Sequence, residues 1–150
     1  MESKSIFPNT VYRVSTKAFI VNEKQELLLM KEGDWWRDLP WWWLDFYEDP
    51  KDGLQREIKE ELGIESIVDN RPIYVRTQWK KSKDIHVLFL WYKTTIDSTD
   101  FTMIGNGTDK ESFDERRFFS KAELSNITLH ENMIKILEIY DPKDFIEIWL

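Results

Sequence analysis

Three carboxylates, Glu57, Glu60 and Glu61, fall within little more than one helical turn of the run Arg56-Glu57-Ile58-Lys59-Glu60-Glu61. At ~100° per residue they cluster on one face, beside an apolar stripe of Leu54, Ile58 and Leu62. Like charges at this spacing repel, by about 0.2–0.5 kcal/mol per pair on an isolated helix. Two arrangements offset that cost. One is a solvated acidic face on which Arg56 and Lys59 act as partial partners. The other is a hard-cation site, because Mg²⁺ takes oxygen ligands and shares them among one or two carboxylates, water and substrate phosphates.

The elements that must position these side chains are marked in the flanking sequence. Asp49 is placed to cap a helix, Pro50 suits its first position, Asp52 puts negative charge in its first turn, and Gly63 suits a left-handed end. Upstream, residues 11–21 and 27–30 read as two strands of a hairpin around the polar turn at 22–25. Downstream, residues 73–79 and 85–93 read as a second strand pair joined by the charged turn at 80–84, followed by a polar loop at 100–111 and a strand near 113–119. Ser120 and Glu123 have capping-box spacing, and Met133, Ile134, Leu137 and Tyr140 recur at helical spacing before Asp141-Pro142. Strands, helix, strands, helix is the order of an α/β (α+β) domain with a mixed sheet between helices.

The wider pattern resembles the Nudix hydrolase superfamily, whose signature runs G-x5-E-x7-R-E-U-x-E-E-x-G-U, with U aliphatic. Glu48, Arg56, Glu57, Ile58, Glu60, Glu61, Gly63 and Ile64 fall in register behind Leu39-Pro40, which is eight of the nine defined positions. The resemblance implies an α/β/α sandwich and Mg²⁺- or Mn²⁺-dependent hydrolysis of a nucleoside diphosphate linked to another group. Carried over by position, Glu57, Glu60 and Glu61 would ligate metal, and Glu60 or Glu61 would orient or deprotonate water. Arg56 would hold the loop by pairing with Glu48 or a helix carboxylate.

The ninth position breaks the pattern. Trp42 stands where the signature begins with glycine, and Trp41, Trp43, Phe46 and Tyr47 crowd the same loop. Glycine there supplies positive φ and close backbone approach, and bulky residues supply neither cheaply. Three roles suit these aromatics: core packing, with Trp41 and Trp43 facing one way in a strand and Trp42 the other; a stacking platform for a base; or an engineered surface. The expectation carried forward is the last, an engineered scaffold presenting Trp41, Trp42, Trp43, Phe46 and Tyr47, with Trp35 and Trp36, for protein binding or self-association, its hydrolase activity lost. The alternative is an active Mg²⁺-dependent hydrolase.

Composition sets the outer limits. The chain has 150 residues, 41% of them hydrophobic, enough for one domain over residues 1–150. Its net charge is −7 and no Lys/Arg run exceeds two residues, which argues against a nucleic-acid polymer as partner. With no cysteine, disulfides, zinc–thiolate sites and thiol catalysis are excluded. The N-terminal ten residues lack an apolar signal core, and the longest apolar run, 87–92, is too short to span a bilayer, so a soluble cytoplasmic protein without a membrane partner is expected. His86 and His130 read as structural, and nothing outside the signature names a base or sugar.

Overall fold

A computed structural model describes residues 12–32, 36–96, 115–130, 133, 134 and 137. Its elements in chain order are β1 (Tyr12–Ile20), β2 (Leu27–Glu32), β3 (Trp36–Asp38), β4 (Trp41–Trp43), α1 (Pro50–Leu62), β5 (Ser66–Val68), β6 (Tyr74–Lys80), β7 (Ile85–Ile96), β8 (Glu115–Phe119) and the short α2 (Lys121–Leu124). The polar loop anticipated at 100–111, together with Trp35 and Tyr140, lies outside the described residues.

The larger sheet runs β4-β1-β7-β5, with β6 also paired to β7. It is mixed: β1 lies parallel to β7, from Tyr12 opposite His86 to Ile20 opposite Thr94, and antiparallel to β4. The hairpin anticipated between the first two strands does not form. Both edges of β1 are taken, by β4 and β7, so β2 leaves after a single Val21–Leu27 bridge and pairs instead with β3 and β8. The turn between them is held by Asn22, whose Oδ1 accepts from the N–H groups of Lys24 (3.0 Å) and Glu26 (2.9 Å). The second hairpin is present. Residues 74–80 and 85–91 pair antiparallel from Tyr74–Trp91 to Lys80–Ile85, through a 3₁₀ turn and a left-handed Asp84.

Alternation along the strands builds two apolar layers. Ala18 and Ile20 of β1 and Leu28 and Met30 of β2 pack with Leu54, Ile58 and Leu62 of α1. Phe19, Leu27 and Leu29 point the other way, joining Phe89, Trp91, Phe119, Leu124 and Met133. Because β2 feeds both clusters, the smaller sheet continues the central layer. The result is an α/β/α sandwich, with α1 on one face of the mixed sheet and α2 with the helical residues Met133, Ile134 and Leu137 on the other. Full burial of each α1 leucine or isoleucine is worth about 1.5–3 kcal/mol, which holds the carboxylate face at a fixed rotation to the sheet. One ion pair is buried in the second layer. Lys17, under the rings of Phe89 and Trp91, bonds to Asp38 of β3, and Asp38 also accepts from the Leu39 N–H (2.7 Å).

Candidate active site

The carboxylates are positioned by the two ends of α1. Asp49 is the N-cap, its side chain accepting from the N–H groups of Lys51 (2.9 Å) and Asp52 (3.4 Å). Gly63, at φ 68°, ends the helix with its N–H on the Lys59 carbonyl. Between them, Arg56 is the hub. Its Nε and Nη2 donate to the two oxygens of Glu48 at 2.8 and 3.1 Å, a bidentate grip that ties the loop before the helix to the helix itself. Its Nη1 lies 2.9 Å from Glu57 and 3.0 Å from Glu60, and Asp45 is 3.6 Å from Nη2.

These contacts set the charges. Hydrogen bonding to Arg56 holds Glu48 below its ordinary carboxylate pKa, and the Glu48 carboxylate in turn pushes the Arg56 guanidinium higher still. Burial pushes Glu57 up, because its charged form loses hydration that Arg56 replaces only in part. Glu60 is mostly exposed, while Glu61 is half-buried and its backbone carbonyl accepts from Arg116 Nη1 at 3.0 Å. Desolvation lowers the Arg116 pKa, partly offset by the charge of Glu61.

Among the described residues, no three His, Asp or Glu side chains converge as a metal cage. The donor chemistry nonetheless fits a hard cation. Glu57 and Glu60 both lie within hydrogen-bonding distance of one guanidinium nitrogen, so one positive centre can reach both, and Glu57 is an incompletely compensated anion.

The aromatic loop is not one surface. Trp41, Trp42 and Trp43 form β4, in register with Lys17, Thr16 and Ser15 of β1. Their side chains therefore alternate: Trp42, 6% exposed, is core under α1, and Trp43 packs against the opposite cluster with Arg13 stacked 4.1 Å from its ring. Trp41 meets Trp43 edge-on at 5.5 Å. None of the three has positive φ; in this loop only Tyr47 does, at 65°. Phe46, 95% exposed, and Tyr47 are the two that face solvent. The expected five-residue binding surface is thus corrected to a core strand followed by a two-residue exposed tip, and nothing in the fold marks the loop as engineered.

Two contributors escaped the sequence reading. Gly53 sits inside α1 where an added Cβ would meet Glu48 Oε2 at 2.7 Å and Leu44 Cδ1 at 3.0 Å. A glycine inside a capped helix was the available signal, since it costs about 1 kcal/mol against alanine and needs a packing reason. Arg116 reaches α1 from β8, 55 residues away, and no local pattern announces it. His130 lies with Nδ1 3.9 Å from Asp38, and His86 stacks on Trp79; neither approaches the carboxylate cluster through a described contact.

Comparison with known proteins agrees with this geometry. The NUDIX domain family matches residues 11–139, so the chain belongs to the Nudix family. Among solved structures, a NUDIX hydrolase from Nitrosomonas europaea superposes with a TM-score of 0.67 at 16% identity, covering 85% of this chain and 87% of its own. The MutT protein from Methanosarcina mazei Go1 gives 0.65 at 21% identity, covering 89% and 95%. An ADP-ribose pyrophosphatase from Streptococcus suis gives 0.56 at 24% identity, covering 80% and 81%. These identities speak for the fold alone. No curated protein matches the chain in sequence. Among the described residues, no helix is long and apolar enough to cross a membrane.

Proposed function

We propose that the chain is an active hydrolase of a nucleoside diphosphate linked to another group, dependent on Mg²⁺ or Mn²⁺. The observation that carries this is the arrangement of the family carboxylates: Glu57 and Glu60 meet at one point beside Arg56, which grips Glu48 with two bonds. Glu57, Glu60 and Glu61 would hold the cation. When bound, it would offset the diphosphate charge and polarise the attacking water. Glu60, exposed, and Glu61, half-buried, are the candidates to accept the water proton as its oxygen bonds to phosphorus and the bridging oxygen leaves. Arg56, fully charged and gripping Glu48, keeps the loop against the helix instead of taking part in proton transfer.

The aromatics do not oppose this reading. Trp42 and Trp43 fill apolar layers on the two faces of the sheet, leaving the acidic face of α1 uncovered by them. Assaying nucleotide release over a panel of nucleoside diphosphate derivatives tests it. Turnover should require Mg²⁺ or Mn²⁺ and fall about a hundredfold or more in Glu57→Gln and Glu61→Gln. Absence of turnover across the panel, or undiminished turnover in both variants, would contradict it.

A further inference from the structure

Of the three carboxylates on α1, Glu57 and Glu60 are gathered by Arg56, whose Nη1 meets both while Nε and Nη2 hold Glu48. Glu61 is faced by a different guanidinium, that of Arg116. Arg116 stands opposite Met30 in the β2–β8 pairing, so alternation sends its side chain, like that of Phe118, to the α1 face of the sheet, while Arg117 lies over Phe119 on the other. From there its Nη1 donates to the Glu61 carbonyl at 3.0 Å. Helix capping alone does not call for an arginine at this place. The carbonyl belongs to the last turn of α1, where intrahelical donors run out, but water satisfies such groups at exposed helix ends, and Gly63 already closes the helix on Lys59. The guanidinium is half-buried; burial works against its charge, and the Glu61 carboxylate restores part of it. Glu61 in turn has need of a positive neighbour. It lies at the negative end of the helix dipole and four residues from Glu57, a like charge on the same face.

We propose that Arg116 is a positioning residue, which fixes the last turn of α1 from β8 and holds the Glu61 carboxylate where it can share a cation with Glu57 and Glu60. It acts through Glu61 and touches no reacting atom. A guanidinium suits the task, because its fork presents several donors in fixed directions and can bond the carbonyl while its charge faces the carboxylate. The helix is then braced twice, by Arg56 through Glu48 and by Arg116 through the Glu61 carbonyl, each brace serving different carboxylates. The assignment rests on the reading of α1 as a cation site, and it names what aligns the third ligand.

Calorimetric titration with Mn²⁺ alone tests this without turnover. Arg116→Met keeps an apolar stem and removes the guanidinium, and Mn²⁺ should bind it about tenfold more weakly than wild type. Arg116→Lys keeps the charge without the fork and should fall between the two. The deciding comparison is made in Glu61→Gln. There, adding Arg116→Met should change Mn²⁺ affinity by less than about twofold, whereas a role in the fold at large gives the same loss in either background. Circular dichroism and urea unfolding check that each variant is folded. Should Arg116→Met fail that check, Arg116→Lys decides alone, and a Mn²⁺ affinity equal to that of wild type overturns the assignment. Unchanged or tighter Mn²⁺ binding in Arg116→Met, the result expected if the guanidinium merely competes with the cation, also overturns it, as does a full loss on top of Glu61→Gln. A loss that depends on Glu61, in a protein without turnover, upholds the positioning role and removes the hydrolase reading; no Mn²⁺ binding by wild type removes both.

Discussion

At the residue scale, two positions around the loop carry opposite kinds of tension. Tyr47 holds φ 65° with its side chain in solvent, a conformation that costs an L-residue roughly 1–2 kcal/mol and glycine almost nothing. Tyr47→Gly should therefore stabilise the protein by about 1 kcal/mol, read as a higher midpoint in urea unfolding. Gly53 is the converse. Alanine there gains about 1 kcal/mol of helix propensity but pushes on the Glu48 carboxylate at 2.7 Å. That carboxylate can swing away, so Gly53→Ala should change stability by less than about 1 kcal/mol while loosening the Arg56 grip. Metal-dependent turnover should then fall about 10- to 100-fold, as it does when supports of a metal site are lost. Lys17 and Asp38 are a third case: Lys17→Met strands a buried carboxylate and should cost about 3–5 kcal/mol, most of it recovered in Lys17→Met/Asp38→Leu. Chemical denaturation of the single and double variants measures this.

At the scale of elements, β4 decides what the tryptophans mean. Three consecutive large aromatics read as a patch when treated as a loop, and as two buried faces once β1 offers them a strand partner. Trp42→Gly should accordingly cost at least about 3–5 kcal/mol through the cavity it leaves, seen as a collapse of the thermal midpoint. The α1 helix was legible almost to the residue, because its cap, first-turn proline, apolar stripe and terminal glycine are all local signals. The pairing of β1 was not, because its partners β7 and β4 are chosen by long-range competition for strand edges that periodicity does not encode. The capping box of α2 was equally local, and it carries a pH signature. The Ser120 backbone N–H, then Arg117, then the Ser120 hydroxyl hold Glu123 at a pKa of about 2 against an ordinary 4.5. A lowered carboxylate pKa contributes stability that is present above 4.5 and lost as pH falls toward 2. Comparing unfolding midpoints of wild type and Glu123→Gln should show their difference shrinking through that window.

At the scale of the molecule, the Nudix sandwich explains why the acidic face of α1 is available for chemistry at all. One apolar layer fixes the helix by Leu54, Ile58 and Leu62, leaving Glu57 and Glu60 to be organised by Arg56 and the loop it holds, and Glu61 to face Arg116. The signature made the fold and the carboxylate cluster readable from sequence. It could not show that Trp79, His86, Tyr12 and the loop tip share one groove, since these come from separate strands brought together only by the sheet. The proposed reaction is hydrolysis by water attack on phosphorus at these carboxylates. Its most direct test is turnover in ¹⁸O-labelled water with Mg²⁺, comparing wild type with Glu57→Gln. The label should appear in a phosphate-bearing product of the wild type, and only in the presence of the cation, with Glu57→Gln giving little or none. Cleavage without label in a phosphate group, or equal labelling in Glu57→Gln or without the cation, would contradict the account.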